Sequence, residues 1–458
     1  MRTFRIASLV AVGAISLPLL TSSTSAVAAS PRTVPRIGTQ LAILKGSDTT
    51  DIHNLGFGSS VAVSGTTAVV GAPLSPNGAG EAYVFTETAG VWKQTAVLAG
   101  SDTVTDDQFG HSVAVSGTTA VVGAPIHANV AGRAYVFTRT TAGWKQAAEL
   151  KGSGTIAGEA FGESVAISGT TVVVGASGHA KNAGRAYVFT ETSGVWKQTA
   201  VLKGSDTAAY DEFGRSVAIS GTTAVVGGEG HADVAGRAYV FTRTANGWKQ
   251  AAELEGSDTA AVDAFGYSVA ISGSNIVVGT PGHLKDAGRA YVFTKTSTGW
   301  KQAAELRGSD TVADDFFGES VAISGASVVV GSSHSSTGAA YVFTKTAAGW
   351  KEVAEMKDPA AAALNEVDEF GASVAISGAT IVVGACYDVI CHGGAYVFDR
   401  TATGWKWAAE LNGSDTVTGG SSGDGDWFGA SVAISGTTAV VGAPLHAGAA
   451  GRAYVFEA

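Results

Sequence analysis

The dipeptide Phe-Gly recurs eight times, at Phe57, Phe109, Phe161, Phe213, Phe265, Phe317, Phe370 and Phe428, in steps of 52 residues that lengthen only to 53 and 58 at the end. A fixed period of this size restricts a chain to a solenoid, a propeller or an array of small units. It overrides the several-domain prior that 458 residues would otherwise suggest. The second copy reads FGHSVAVSGTTAVVGAP, then IHANVAGRAYVFTRT, then TAGWKQAAELKGS. Four short apolar or alternating runs, at 112–115, 120–122, 134–138 and 144–150, are separated by Gly, Ser, Thr, Asn and Asp. That is the pattern of strands a to d joined by turns. Ser116-Gly117 and Ala142-Gly143 suit tight a–b and c–d hairpins, since glycine accepts positive φ. No helical period stands out beyond the N-terminal 30 residues, so each copy is expected to form one four-stranded antiparallel blade.

The two ends complete one another. The text QLAILKGSD at 40–48 matches the d-strand text at 146–152, whereas the last copy stops after its c strand at 453–456. Docking the N-terminal strand into the last blade would close a ring and cover two edges that would otherwise invite aggregation. The expected fold is therefore an all-β, eight-bladed propeller spanning 39–458, preceded by a short linker at 30–38.

Residues 1–29 read as a signal peptide. Arg2 and Arg5 precede an apolar run from Ile6 to Leu20, and small residues lead to Ala26-Val27-Ala28-Ala29. A membrane anchor needs about 20 apolar residues, and this run is shorter and cleavable. Removing the two arginines takes the formal charge from −10 to −12. That balance argues against nucleic acid or an anionic membrane as a general partner. No later run could span a bilayer, so a secreted, extracellular monomer is expected. Export places Cys386 and Cys391 in an oxidising compartment, and their short spacing favours a local disulfide over a zinc site that would lack a fourth ligand.

Fourteen residues after Phe-Gly stand Gly71-Ala72-Pro73, Gly123-Ala124-Pro125 and Gly442-Ala443-Pro444, with weaker forms in the other copies. This combination resembles the FG-GAP repeat, the unit of the integrin α-subunit propeller, also found in many secreted bacterial proteins. The resemblance covers nearly all of the chain after the leader and implies a binding or adhesion role on a propeller fold. Two features depart from it. Integrin propellers have seven blades, and many members carry a DxDxDG-type calcium loop in the a–b hairpin. Here that hairpin is Ser116-Gly117-Thr118-Thr119 and its equivalents, with no carboxylate. Calcium gains affinity from carboxylates, so no metal or other cofactor is expected.

In a propeller the d–a and b–c loops share one face, where a ligand site is expected because rigid scaffolds carry function on loops. An acid precedes Phe by two residues in seven copies: Asp107, Glu159, Asp211, Asp263, Asp315, Asp368 and Asp426, with Leu55 the exception. These acids could form a ring that binds a cation or a polyhydroxylated ligand. They could instead cap local amides or pair with the arginine opening strand c: Asp107 with Arg133, Glu159 with Arg185, Asp211 with Arg237, Asp263 with Arg289 and Asp426 with Arg452. Pairing is the favoured reading, because the copy with Leu55 also replaces that arginine with Glu81. Copies six and seven keep the acid without the arginine.

Histidines recur in the b–c loops at His127, His179, His231, His283, His334, His392 and His446. They could bind metal or shuttle protons beside the acids, or be passive products of duplication. The residue after Phe-Gly varies most, as Ser59, His111, Glu163, Arg215, Tyr267, Glu319, Ala372 and Ala430, near the mouth of the central channel. His111, Glu163, Arg215, Tyr267 and Glu319, with His127, His179, His231, His283 and His446, form the candidate ligand face. Tryptophans opening the d strands, such as Trp92, Trp144 and Trp300, read as packing residues. No nucleophile is found beside a base, and no hydrolase, zinc or nucleotide fingerprint appears. The expected function is non-catalytic binding of an extracellular glycan, protein or surface polymer. An extracellular hydrolase or lyase using the acids and histidines, or a structural envelope protein, are the alternatives.

Overall fold

The computed structural model describes residues 36–47, 56–75, 78–334, 338–358, 369–386, 393–416 and 425–458. The signal peptide, Leu55, Asp368, Cys391 and His392 lie outside them. The chain forms eight four-stranded antiparallel sheets, one per repeat. In blade 2, strand a is Ser112–Ser116, b is Thr119–Ala124, c is Arg133–Thr140 and d is Gly143–Leu150. The strand reading of the sequence holds to within two residues at every end.

Blade 8 is the split one. Its strands a to c are Ser431–Ser435, Thr438–Ala443 and Arg452–Glu457, and its d strand is Gln40–Leu44 from the other end of the chain. Ala42 lies opposite Val455, Ile43 opposite Tyr454 and Leu44 opposite Ala453. The a strands neighbour one another all the way round, blade 1 against blade 8 included, so the ring is closed with a inside and d outside.

The core lies between blades rather than within them. Ala114, Val121, Val136 and Leu150 of blade 2 pack on Phe161, Val165, Val174, Tyr187 and Phe189 of blade 3, and each other interface repeats the arrangement. Buried side chains of Val, Leu or Phe size stabilise by about 1.5–3 kcal/mol each, so each blade depends on both neighbours. Tryptophans of the d strands, such as Trp144 and Trp300, pack against the same inter-blade clusters.

The motif glycines meet across this interface. A Cβ on Gly123 would fall 2.0 Å from the carbonyl oxygen of Gly162 in the next blade, which already accepts a 2.8 Å bond from Ser112 Oγ. Gly162 itself sits at φ +96°. Phe109 packs edge-on to Phe137, with centroids 6.0 Å apart, and tilted on Tyr135 at 5.3 Å. The Phe-Gly and Gly-Ala segments are thus the contacts that set one blade on the next.

Candidate functional site

The b–c loops fold in a way the sequence does not announce. After His127 the chain runs Ala128, Asn129 and Val130 with φ of 52°, 60° and 64°, a left-handed turn made by non-glycine residues. It is closed by Val130 N–H donating to Ile126 O (2.9 Å) and Gly132 N–H to His127 O (2.9 Å). Blades 3, 4, 5 and 8 build the same turn after His179, His231, His283 and His446. Such conformations are costly for a β-branched residue, and the turn's carbonyls are put to use. Those of Asn129, Val130 and Ala131 accept from Gly158, Ala160 and Phe161 in the d–a loop of the next blade.

The turn folds its histidine back over the d–a loop that leads into its own blade. His127 Nδ1 lies 2.7 Å from Asp107 Oδ2, and that oxygen also accepts from Val104 N–H at 2.7 Å. The other ring nitrogen faces Asp102 at 3.5 Å, and Asp102 accepts from the Tyr135 hydroxyl at 2.7 Å. The same four groups recur as His231, Asp211, Asp206 and Tyr239, as His283, Asp263, Asp258 and Tyr291, and as His446, Asp426, Asp415 and Tyr454. Burial and the hydrogen bond to Asp together push the tyrosine hydroxyls far above their ordinary pKa. Blade 3 substitutes Glu159, 2.6 Å from His179, and has Gly154 where the second Asp would be.

The expected acid–arginine pairs are corrected by this geometry. In blades 2, 4 and 5 the arginines bond instead to a glutamate of strand d: Arg133 to Glu149 at 2.8 Å, Arg237 to Glu253 at 3.2 Å and Arg289 to Glu305 at 2.9 Å. Glu149 lies opposite Tyr135, diagonal to Arg133 across the c–d ladder, so it is the nearer carboxylate. Asp107, Asp211 and Asp263 are taken by histidine. In blade 3 Glu159 goes to His179 while Arg185 neighbours Tyr187, and in blade 8 Asp426 goes to His446 while Arg452 lies 3.8 Å from Asp415. Asp315 caps Val312 N–H at 2.7 Å. In blades 2, 3, 4, 5 and 8 the loop acid and histidine are therefore clasps formed within one repeat. His127, His283 and His446 are buried.

Four of the residues after Phe-Gly, His111, Glu163, Arg215 and Tyr267, behave differently, since they act on one another from blade to blade around the channel mouth. Arg215 of blade 4 reaches Glu163 of blade 3 at 3.6 Å, Glu212 at 3.5 Å and Glu229 at 2.9 Å. Despite the desolvation that opposes its charge, these carboxylates raise the Arg215 pKa. Ser177 donates to Glu163. His111 of blade 2 opens towards Glu163; desolvation lowers its pKa, and Glu163 and Arg215 act on it in opposite directions. Tyr267 of blade 5 acts electrostatically on Arg215.

Glu229 is the most perturbed group there. Burial first, and then Glu212 and Glu163, push its pKa up to about 7 against the pull of Arg215. Its Oε2 is buried with no hydrogen-bond partner among the described residues. On the far side, Glu319 accepts from Ser333 at 2.7 Å and lies 3.6 Å from His334 Nδ1, whose ring packs on Phe316. The local disulfide expected from Cys386 and Cys391 is not shown. Cys386 is a free thiol that donates to Glu369 Oε2 at 3.3 Å, its pKa raised by burial and by Glu369. Among the described residues, no three His, Cys, Asp or Glu side chains are grouped to hold a metal ion.

The mouth thus brings together His111, Glu163, Arg215 and Tyr267 as a band of copy-specific polar groups, while Glu319 stands apart from them beside Ser333 and His334. Sequence reasoning missed Glu212, Glu229 and Glu369. Glu229 was detectable in principle, because it replaces the proline of Gly-Ala-Pro, and Glu212 and Glu369 directly precede Phe. Chemically the band is a set of hydrogen-bonding and ion-pairing groups with one carboxyl that titrates near neutrality.

Comparison with known families matches the FG-GAP repeat to residues 39–85, 92–137, 144–189, 196–241, 248–293, 300–343, 350–398 and 414–456. No curated protein matches the sequence. Among solved structures, Sqt1 of Saccharomyces cerevisiae is similar in fold, with a TM-score of 0.54 at 12% identity, covering 93% of this chain and 100% of that one. Sqt1 of Chaetomium thermophilum gives 0.55 at 17% identity, covering 91% and 100%. At such identities the likeness is one of fold alone.

Proposed function

The chain belongs to the FG-GAP repeat family, and from that premise we propose that it is a secreted, non-catalytic binding protein whose ligand, an extracellular glycan, protein or surface polymer, sits at the channel mouth on the d–a and b–c loop face. The observation that carries this reading is the Arg215 cluster. In a chain of near-identical repeats, the groups that interact between blades at the mouth are the ones that differ from copy to copy. An asymmetric set of donors and acceptors suits an asymmetric ligand, and such sites are concave with a few convergent polar groups. The recurring acids and histidines, by contrast, are consumed in holding the loops, which supports binding over hydrolase or lyase chemistry at those positions.

The test is a binding screen of the protein against glycans and surface polymers, with Arg215→Ala and Glu229→Gln beside the parent. The reading predicts a ligand whose binding both substitutions weaken at least tenfold. Binding unaffected by both substitutions, or turnover of a ligand, would contradict it.

A further inference from the structure

The net negative charge conceals a segregation. The third residue of every complete d strand is lysine, from Lys93 in blade 1 to Lys406 in blade 7. The seventh residue of strand c, across the same hairpin, is Arg139, Arg243, Lys295, Lys345 or Arg400 in five blades. Blade 8, whose c–d hairpin is replaced by the two chain ends, places Arg36 there, with the adjoining Gly38 N–H bonded to Glu457 O. All these cations are exposed, and none forms an ion pair among the described residues. Lys345 bonds only to the Asn275 amide oxygen and lies over Trp350.

The acids on this rim are few. Glu87 and Glu191 are turned onto their own hairpins, accepting from Gly90 and Gly194 N–H, and Asp399 accepts from Thr380. On the opposite face Arg133, Arg215, Arg237 and Arg289 are ion-paired, and Asp102, Asp206, Asp258, Asp310 and Asp415 are exposed by 40–49%.

Every complete c and d strand has eight residues and a two-residue connection between them, so the cations stand at one level around the ring. The a–b hairpins inside them are the uncharged Ser-Gly turns. A level ring of cations suits a plane better than a flexible chain, and few apolar side chains stand at its tips to insert, Ile37, Val91 and Val195 being the exposed ones. We propose that the hairpin face is a peripheral docking surface for an anionic lipid bilayer, held by charge rather than by insertion, leaving the opposite face outward.

Cosedimentation with vesicles tests this, using neutral phosphatidylcholine with and without a minority of phosphatidylglycerol, at low and high salt. The protein should bind only the anionic vesicles and only at low salt. Each cation near such a surface contributes about 1 kcal/mol, roughly fivefold. Replacing Lys145, Lys197, Lys249 and Lys301 by Gln should therefore cut partitioning by several hundredfold, while Asp102→Asn with Asp206→Asn leaves it unchanged. The proposal is overturned by no binding to anionic vesicles, equal binding by the four-lysine variant, or binding of soluble polyphosphate without vesicles. Salt-sensitive sedimentation of the protein alone would also overturn it, assigning the basic rim to the acidic face of a second copy.

Discussion

Replacing Glu229 by Gln isolates a carboxyl at the channel mouth that titrates near neutral pH. Its pKa rises from 4.5 in the unfolded chain to about 7 in the folded one, through burial and then through Glu212 and Glu163. The folded state therefore keeps the proton that the unfolded state releases. Stability from this group is fully present below about pH 4.5 and declines as pH rises through 7, where the carboxylate must be held charged in its buried site. Proton linkage over that shift amounts to about 2.5 kcal/mol between pH 5 and pH 8. Gln has no proton to lose, so the stability of the variant relative to the parent should improve by about that amount across the same interval. Urea unfolding followed by tryptophan fluorescence at several pH values measures it. A difference between the two proteins that stays constant to within about 0.5 kcal/mol would refute the assignment.

Two further predictions concern the loops. His283→Ala leaves the buried Asp263 without its 2.7 Å partner and should cost about 1–3 kcal/mol of unfolding free energy; an unchanged urea midpoint would show that the clasp holds nothing. Val130 holds φ at 64°, where blades 3 and 5 place Asn182 and Asp286, so Val130→Asn should raise stability by about 1 kcal/mol, read as a higher melting temperature.

The ring was legible in the sequence because its determinants are local and repeated. Phe-Gly fixes the period, the hairpin glycines fix the turns, and the d-strand text at 40–48 declares where the chain closes. The partners of the loop acids were not legible. The choice between His127 and Arg133 for Asp107 depends on a left-handed turn through Ala128, Asn129 and Val130, of which only Asn129 favours that conformation. Glu229 escaped notice for another reason: its importance lies in meeting Arg215 from a different loop, which position in the repeat does not reveal. The basic rim was hidden by summation. A formal charge of −10 says nothing of which end of each strand the lysines occupy until the c–d hairpins are placed on one face.

Closure of the ring by the N-terminal strand sets blade 8 and the continuity of the mouth. Cysteines introduced at Ala42 and Val455, which lie opposite one another in the closing ladder, in a background with Cys386 and Cys391 replaced by Ser, test it directly. The account predicts an intramolecular disulfide in the native protein and a higher melting temperature than in the reduced form. Reduced thiols under oxidising conditions, or only intermolecular dimers, would contradict it.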